Sequence, residues 1–439
     1  MTRLVALVLL ATTACGPLSD SPSGPSPGAA DRPAARAQAT HPPAAPAATL
    51  PKPPSDELAR RMAAGSNAFG FDLHGRLRSV PGNLAYSPAS LTLGLLLPWG
   101  GARAETDAAF RRVLRLDGSP AELLPAWSGL VTAIENRGRP ATVRVANRLF
   151  GERSYTFEAA YIEATRKAFG AGLERLDFRG APEPARSAVN AWVEEETERR
   201  IRDLVPPGGV TNETRLVLVN ALYFLGRWQR PFEASATRPA PFHLTPALAR
   251  DVPTMHQTGS FRYLARGGLK ALELPYEGGG LALLVVLPDA VDGLPAVEGS
   301  LDAGALEALV AGLAPARVRV AVPKFEVNPA ASLSLADALA ALGLAVAFDR
   351  ARADFTGIAR PPDPADRLVL AEVFHKAFVR VDEEGTEAAA ATAAAMVRAA
   401  SAPAPPEAEF KADHPFLFFL RDVESGLVLF AGRLVDPAP

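Results

Sequence analysis

Between two strand-like apolar runs, HKAFVRV (375–381) and HPFLFFL (414–420), lies the segment GTEAAAATAAAMV, Gly385 to Val397. Seven of the eight residues from Ala388 to Ala395 are alanine and the eighth is threonine. That composition alone reads as helix or as a passive linker, yet the flanking runs are apolar enough for buried strands. In an extended chain, side chains alternate between faces. Thr386, Ala388, Ala390, Thr392, Ala394 and Met396 would then point one way, all small or uncharged and fit to close onto a core. Glu387, the one charge of the segment, falls on the opposite set. Proline occurs 41 times in the chain but nowhere from Gly385 to Ala402, and a proline would remove a ladder hydrogen bond from a central strand. Gly385 supplies a permissive pivot. The segment is therefore suited to entering a sheet as a strand, which neither a helix nor a linker requires.

The rest of the chain provides that sheet. SDELARRMAAGSNAFGFDLHGRL reads as an amphipathic helix with a serine or aspartate start, and NLAYSPASLTLGLLLPWGGARAETDAAF as two more. The first of these two is capped by Ser87 or Ser90 and is expected to kink or end early at Pro98. ATVRVANRLFGE is a strand. PEPARSAVNAWVEEETERRIRDLVP is a helix with Trp192, Val193 and Ile201 on one face. Strands then dominate, in RLVLVNALYFLGRWQRPF, LKALELPYEGGGLALLVVLPD and VRVAVPKFEV, before a helix in SLSLADALAALGL and a strand-rich end. The fold class is α+β, since helices cluster early and strands late without βαβ alternation.

At 439 residues with 48% hydrophobic content and a formal charge of −2, the chain can bury a large core and carries no basic excess for nucleic acid. Its one cysteine, Cys15, precludes an intrachain disulfide or a cysteine-rich metal centre. The six histidines show no HExxH or paired spacing, so no metal site is expected. The GGG at 278–280 is a hairpin turn rather than a phosphate cradle. No GxSxG elbow, nucleotide loop or other cofactor motif is present, and the chain is not read as an enzyme. His375 is read as a hydrogen-bonded core histidine.

The N-terminus, MTRLVALVLLATTAC, has Arg3, a short apolar run and small residues ending in Cys15. It is too short to span a bilayer and reads as an export signal over residues 1–14. It resembles a bacterial lipoprotein signal, which implies acylation of Cys15 and a lipid anchor in the cell envelope, at the outer membrane or cell surface; otherwise the protein is secreted. Residues 15–54, rich in proline, alanine and serine, form an extended tether, and the folded domain spans 55–437.

Over the folded region the sequence resembles the serpins. The resemblance rests on NLAYSPASLTLGLLL, GARAETDAAF, NAWVEEETERRIRDLVP, LVLVNALYFLGRWQRPF, VPKFEV, DFTGI, HKAFVRVDEEGTEAAAAT and DHPFLFFLRD. It implies about nine helices around three β-sheets, with an exposed reactive-centre loop at about 383–406. It also implies a monomeric suicide-substrate inhibitor of serine or cysteine endopeptidases: the cleaved loop would enter the largest sheet and trap the acyl-enzyme. The alternative is a non-inhibitory serpin acting as a binding or chaperone-like protein.

The hinge would be Glu383, Glu384, Gly385, Thr386, Glu387, Ala388, Ala389, Ala390, Ala391 and Thr392. Lys324 and Trp228 would join Glu383 where the loop enters the sheet. Ser87, Ser90, Asn220 and His375 would form the polar cluster that governs sheet opening. Counting the usual loop length from Gly385 puts the attacked bond at Ala399–Ala400, which suits an elastase-like protease. A register one residue shorter exposes Arg398 to a trypsin-like enzyme, and one residue longer gives Ala400–Ser401.

Overall fold

The structure, a computed structural model, describes residues 52–137, 140–169, 173–363, 366–386 and 408–438. Cys15, most of the tether, and the loop from Glu387 through Ser401 lie outside the described residues.

The helices are α1 (Asp56–Leu77), α2 (Pro88–Gly101), α3 (Ala104–Leu114), α4 (Pro120–Arg137), α5 (Ala159–Phe169), α6 (Pro182–Glu196), α7 (Leu294–Ser300), α8 (Ala303–Gly312) and α9 (Ala336–Leu339). The first strands are β1 (Leu84–Tyr86), β2 (Thr142–Glu152), β3 (Glu174–Leu176), β4 (Leu216–Arg227), β5 (Arg238–Thr245), β6 (Leu248–Arg266), β7 (Leu269–Pro275) and β8 (Leu281–Pro288). They are followed by β9 (Ala314–Pro323), β10 (Phe325–Val327), β11 (Leu333–Ser334), β12 (Val373–Ala377), β13 (Val379–Val381), β14 (Gly385–Thr386), β15 (Ala408–Lys411), β16 (Phe416–Asp422) and β17 (Val428–Leu434).

An eight-stranded sheet runs β10-β13-β14-β4-β12-β11, with β2 also on β4 and β3 on β2. The remaining nine strands form one network, β1-β17-β16-β8-β7-β6-β9-β15, with β5 on β6. The 19-residue β6 makes it continuous: its start pairs with β5, its middle with β9 and its end with β7. The three sheets implied by the resemblance are thus hydrogen-bonded as two networks, the larger having two halves that share β6.

Strand β4 is buried along nearly its whole length, and its alternate residues serve different cores, as the pleat requires. Leu218, Leu222 and Phe224 join the main core. Val217, Val219 and Ala221 join a smaller cluster with Val189 and Val193 of α6, and with Phe374 and Phe378. Helix α6 therefore covers one face of the eight-stranded sheet, while α2 lies against the other through Ser90 and Asn220.

Local chemistry sets several boundaries. Ser55 caps α1 by accepting from Leu58 N–H, and Ser87 caps α2 by accepting from Ser90 N–H at 3.0 Å. Between β7 and β8, Gly278 and Gly279 have φ of 90° and 76°, and Gly279 N–H donates to Tyr276 O at 3.1 Å, which makes GGG a hairpin turn.

Three expectations need correction. Helix α2 continues three residues past Pro98, to Gly101; it is buried almost throughout, so packing outweighs the roughly 3 kcal/mol that an interior proline costs. Helix α6 ends at Glu196, before Ile201, because Glu198 and Arg199 turn through left-handed backbone conformations. Ile201 is still buried with Val193, in the same cluster but from the following segment. The helix expected in SLSLADALAALGL is α-helical only over Ala336–Leu339; Gly343, at φ 111°, breaks its continuation.

Candidate functional site

The first two residues of the alanine-rich segment already lie within the sheet. In β14, Gly385 pairs with Arg227 and Thr386 with Gly226 on one side, while Thr386 pairs with Val381 on the other, both antiparallel. A turn at Asp382–Glu384 delivers them there. Asp382 N–H donates to Gly385 O at 2.9 Å, and Asp382 Oδ1 accepts from Glu384 N–H at 3.0 Å. Glycine is required at 385 because a Cβ there would lie 1.9 Å from Gly226 O and 2.8 Å from Arg227 Cα.

Aromatic and charged groups hold this entry point. Trp228 is buried; its backbone N–H donates to Glu384 O and its Nε1–H to Asp382 O, each at 2.9 Å. Its ring stacks on Tyr276 at 4.6 Å, with 19° between the planes. Burial keeps the Tyr276 hydroxyl protonated, and it lies 2.6 Å from Thr386 Oγ1. Lys324 Nζ is 2.7 Å from Glu383 Oε2, and Thr237 donates to Glu383 Oε1 at 2.8 Å. Burial pushes the Glu383 pKa up, but the hydrogen bonds, led by that from Lys324, outweigh it and hold the carboxyl below its usual range.

Further down, the sheet is closed. Residues 373–377 of β12 pair in parallel with 218–222 of β4, placing His375 beside Asn220. His375 Nε2 accepts from Ser87 N–H at 3.0 Å, which leaves Nδ1–H to donate to Asn220 Oδ1. The Asn220 amide donates towards Ser90 O, Ser90 Oγ and Asn147 Oδ1, three acceptors for two hydrogens. Asn147 returns an N–H to Ser90 O at 3.1 Å. Burial drives the His375 pKa down to about 3, so the ring is neutral at physiological pH and bridges β12, β4 and the start of α2.

The structure thus brings Glu383, Lys324 and Trp228 together at one end of the gap between β4 and β13. It brings Ser87, Ser90, Asn220 and His375 together halfway along. Tyr276, Thr237, Asp382 and Asn147 complete these groups and were not singled out by sequence. Asn147 had a signal: it falls in the inward phase of Val143 and Leu149, a polar side chain where apolar ones alternate.

Comparison with known proteins settles the family. The family model described as Serpin (serine protease inhibitor) matches residues 64–437. The chain is a serpin. It is 39% identical over 375 residues to an uncharacterized serpin-like protein of Thermococcus kodakarensis, covering 84% of each chain. It is 38% identical over 390 residues to the leukocyte elastase inhibitor of Equus caballus, covering 86% of this chain and all of that one. Among solved structures, uncleaved ovalbumin superposes with a TM-score of 0.75 at 28% identity, covering 86% of this chain and 100% of that one. Serpin48 of Tenebrio molitor superposes with a TM-score of 0.76 at 31% identity, covering 86% and 98% respectively.

In this serpin β14 covers Gly385 and Thr386, the last residues described before the loop. Hinge residues Glu387, Ala388, Ala389, Ala390, Ala391 and Thr392, and the candidate bond residues Arg398, Ala399, Ala400 and Ser401, lie outside the described residues. The next described strand, β15, pairs in parallel with β9.

Proposed function

We propose that this serpin is a single-use inhibitor of serine endopeptidases. A protease would attack the loop and become acylated, and the cleaved loop would then continue down the gap that β14 already occupies. The observation that carries this reading is the placement of Gly385 and Thr386 between β13 and β4, antiparallel to both. Extending that ladder six residues from Thr386, six back from Gly226 and six back from Val381 brings Thr392 between Asn220 and His375. Thr392 shares the inward phase of Thr386, so its hydroxyl would arrive where the Asn220–His375 hydrogen bond must part. The residues between are alanines apart from the outward Glu387, and none would meet the core as a bulky or charged group. The 15 residues from Gly385 to Ala399, at ~3.3 Å each, would reach about 50 Å, far enough to drag an acylated protease along the sheet. The relatedness to leukocyte elastase inhibitors supports an elastase-like target, in keeping with small residues at Ala399–Ala400.

Incubation with pancreatic elastase and with trypsin tests this reading. Elastase is expected to give a covalent complex that survives denaturing electrophoresis, and the released C-terminal peptide is expected to begin at Ala400 by mass spectrometry. A peptide beginning at Ala399 would assign the bond to Arg398 and a trypsin-like target; one beginning at Ser401 would move the bond one residue on. Loop cleavage with no complex from either enzyme would favour the non-inhibitory, binding-protein reading. We propose further that Cys15 is acylated and anchors a monomeric inhibitor to the cell envelope. Recovery of the mature chain in the aqueous detergent phase, without an acylated Cys15, would overturn the anchor.

A further inference from the structure

A cleft of about 440 Å³ opens on the α6 side of the eight-stranded sheet, away from the loop entry. Arg199 and Arg202 line it from the segment that leads α6 into β4. Lys376 of β12 and Arg380 of β13 line it from across the sheet. Glu326 of β10 is the one carboxylate among its lining residues, and Asn328 donates to it. Among the described residues, Arg199, Arg202 and Lys376 make no ion pair, and Arg380 reaches Asp382 only at 3.9 Å. Lys376 is buried at 7% exposure, its ammonium donating to Arg202 O at 3.3 Å. Burial lowers its pKa, with Asp203 opposing from nearby. An ammonium that is partly withdrawn from water and makes no direct ion pair carries a desolvation cost, and an anion seated beside it would lessen that cost.

We propose that this cleft binds a compact oligophosphate, and that the bound anion staples the two sides of the insertion gap. Arginine forks and a lysine point charge suit adjacent phosphate groups, and the excess of cations over the single lining carboxylate favours a multiply charged ligand. The regulatory consequence follows from where the cations sit. Arg199 and Arg202 are joined by the chain to β4, whereas Lys376 belongs to β12, which pairs directly with β4 and must separate from it when the loop enters, and Arg380 belongs to β13, already on the far side of β14. An anion held by both pairs opposes that separation. This consequence rests on the proposed insertion mechanism; the binding itself does not.

The test uses the full chain and sodium tripolyphosphate at physiological ionic strength. Calorimetric titration is expected to show one saturable site. Binding should weaken at least tenfold in Arg199→Glu/Arg202→Glu and about threefold in Arg380→Gln, and change less than twofold in Arg266→Glu/Arg319→Glu, on β6 and β9. Saturating tripolyphosphate should slow annealing of a synthetic peptide of residues 385–399 at least threefold. Absence of saturable binding, equal binding by the first double variant, or tighter binding of a sulfated disaccharide would overturn the oligophosphate site. Unchanged peptide annealing with the site filled would overturn the staple. A chain that forms no protease complex but binds tripolyphosphate as described would refute the proposed inhibition and leave the site standing.

Discussion

At the scale of single residues, His375 couples the closed sheet to pH. Its folded-state pKa, about 3, lies below the unfolded value near 6.5 because the ring is wholly buried and Nε2 is committed as an acceptor to Ser87 N–H. Above pH 6.5 the ring is neutral in both states and contributes no pH dependence. As pH falls from 6.5 towards 3, the unfolded chain takes up a proton that the folded chain refuses, so stability is lost at up to about 1.4 kcal/mol per pH unit. The urea midpoint of the native form is expected to fall across pH 6.5 to 4, and the fall should be shallower in His375→Gln. An identical slope in the variant would show that other groups carry it. Sequence marked His375, Asn220, Ser87 and Ser90 because the stretches that hold them resemble a family pattern. It left Asn147 unmarked, because only the pairing of β2 with β4 puts that amide opposite Asn220. Thr237 and Tyr276 were hidden for the same reason: their partners, Glu383 and Thr386, are more than one hundred residues away.

At the scale of elements, the proposed choice between trapping and mere digestion would turn on β14. Thr386 is buried at 3% exposure, and its hydroxyl is engaged by Tyr276. An arginine there would bring a long cation into a space built for a small polar group, and it could enter only by paying for desolvation. Thr386→Arg is therefore expected to be cut at the same bond while the yield of stable protease complex drops at least tenfold, measured by gel densitometry at equimolar ratio. Undiminished complex would mean that β14 does not lead insertion. Alternation and missing prolines led to the strand reading of this segment, of which only Gly385 and Thr386 lie within the described residues; that these two are already docked was not legible, because docking depends on the backbone of Gly226 and Arg227. The eight-residue spacing of Val193 and Ile201 fits a helix period, but it misled because periodicity does not reveal the left-handed turn at Glu198 and Arg199.

At the scale of the whole molecule, β4 and β12 of the eight-stranded sheet meet directly below β14, and that is the place the proposed insertion would fill. Filling it with the cleaved loop would add roughly ten ladder hydrogen bonds, each worth about 1 kcal/mol net. For a domain of this size, that corresponds to a rise of roughly 10 °C or more in the unfolding midpoint. Circular dichroism of intact and loop-cleaved protein is expected to show this rise, and cleavage that leaves the midpoint unchanged would rule out insertion. The fold was legible from sequence in its class and family, down to most strands. The joining of two sheet halves through β6 was not, because one 19-residue strand serving three partners has no local signature.

The two docked residues also change what kind of event the proposed insertion would be. A free chain end must search for its place and bear the entropy of closing a long loop before the first contact is rewarded. With Gly385 and Thr386 already paired, the proposed insertion would start from an existing nucleus, and what remained would be propagation, one residue at a time, along a track whose register is already set. Its speed would then be governed by how readily β4 and β12 part ahead of the advancing chain, and hardly at all by the length or composition of the loop that trails behind.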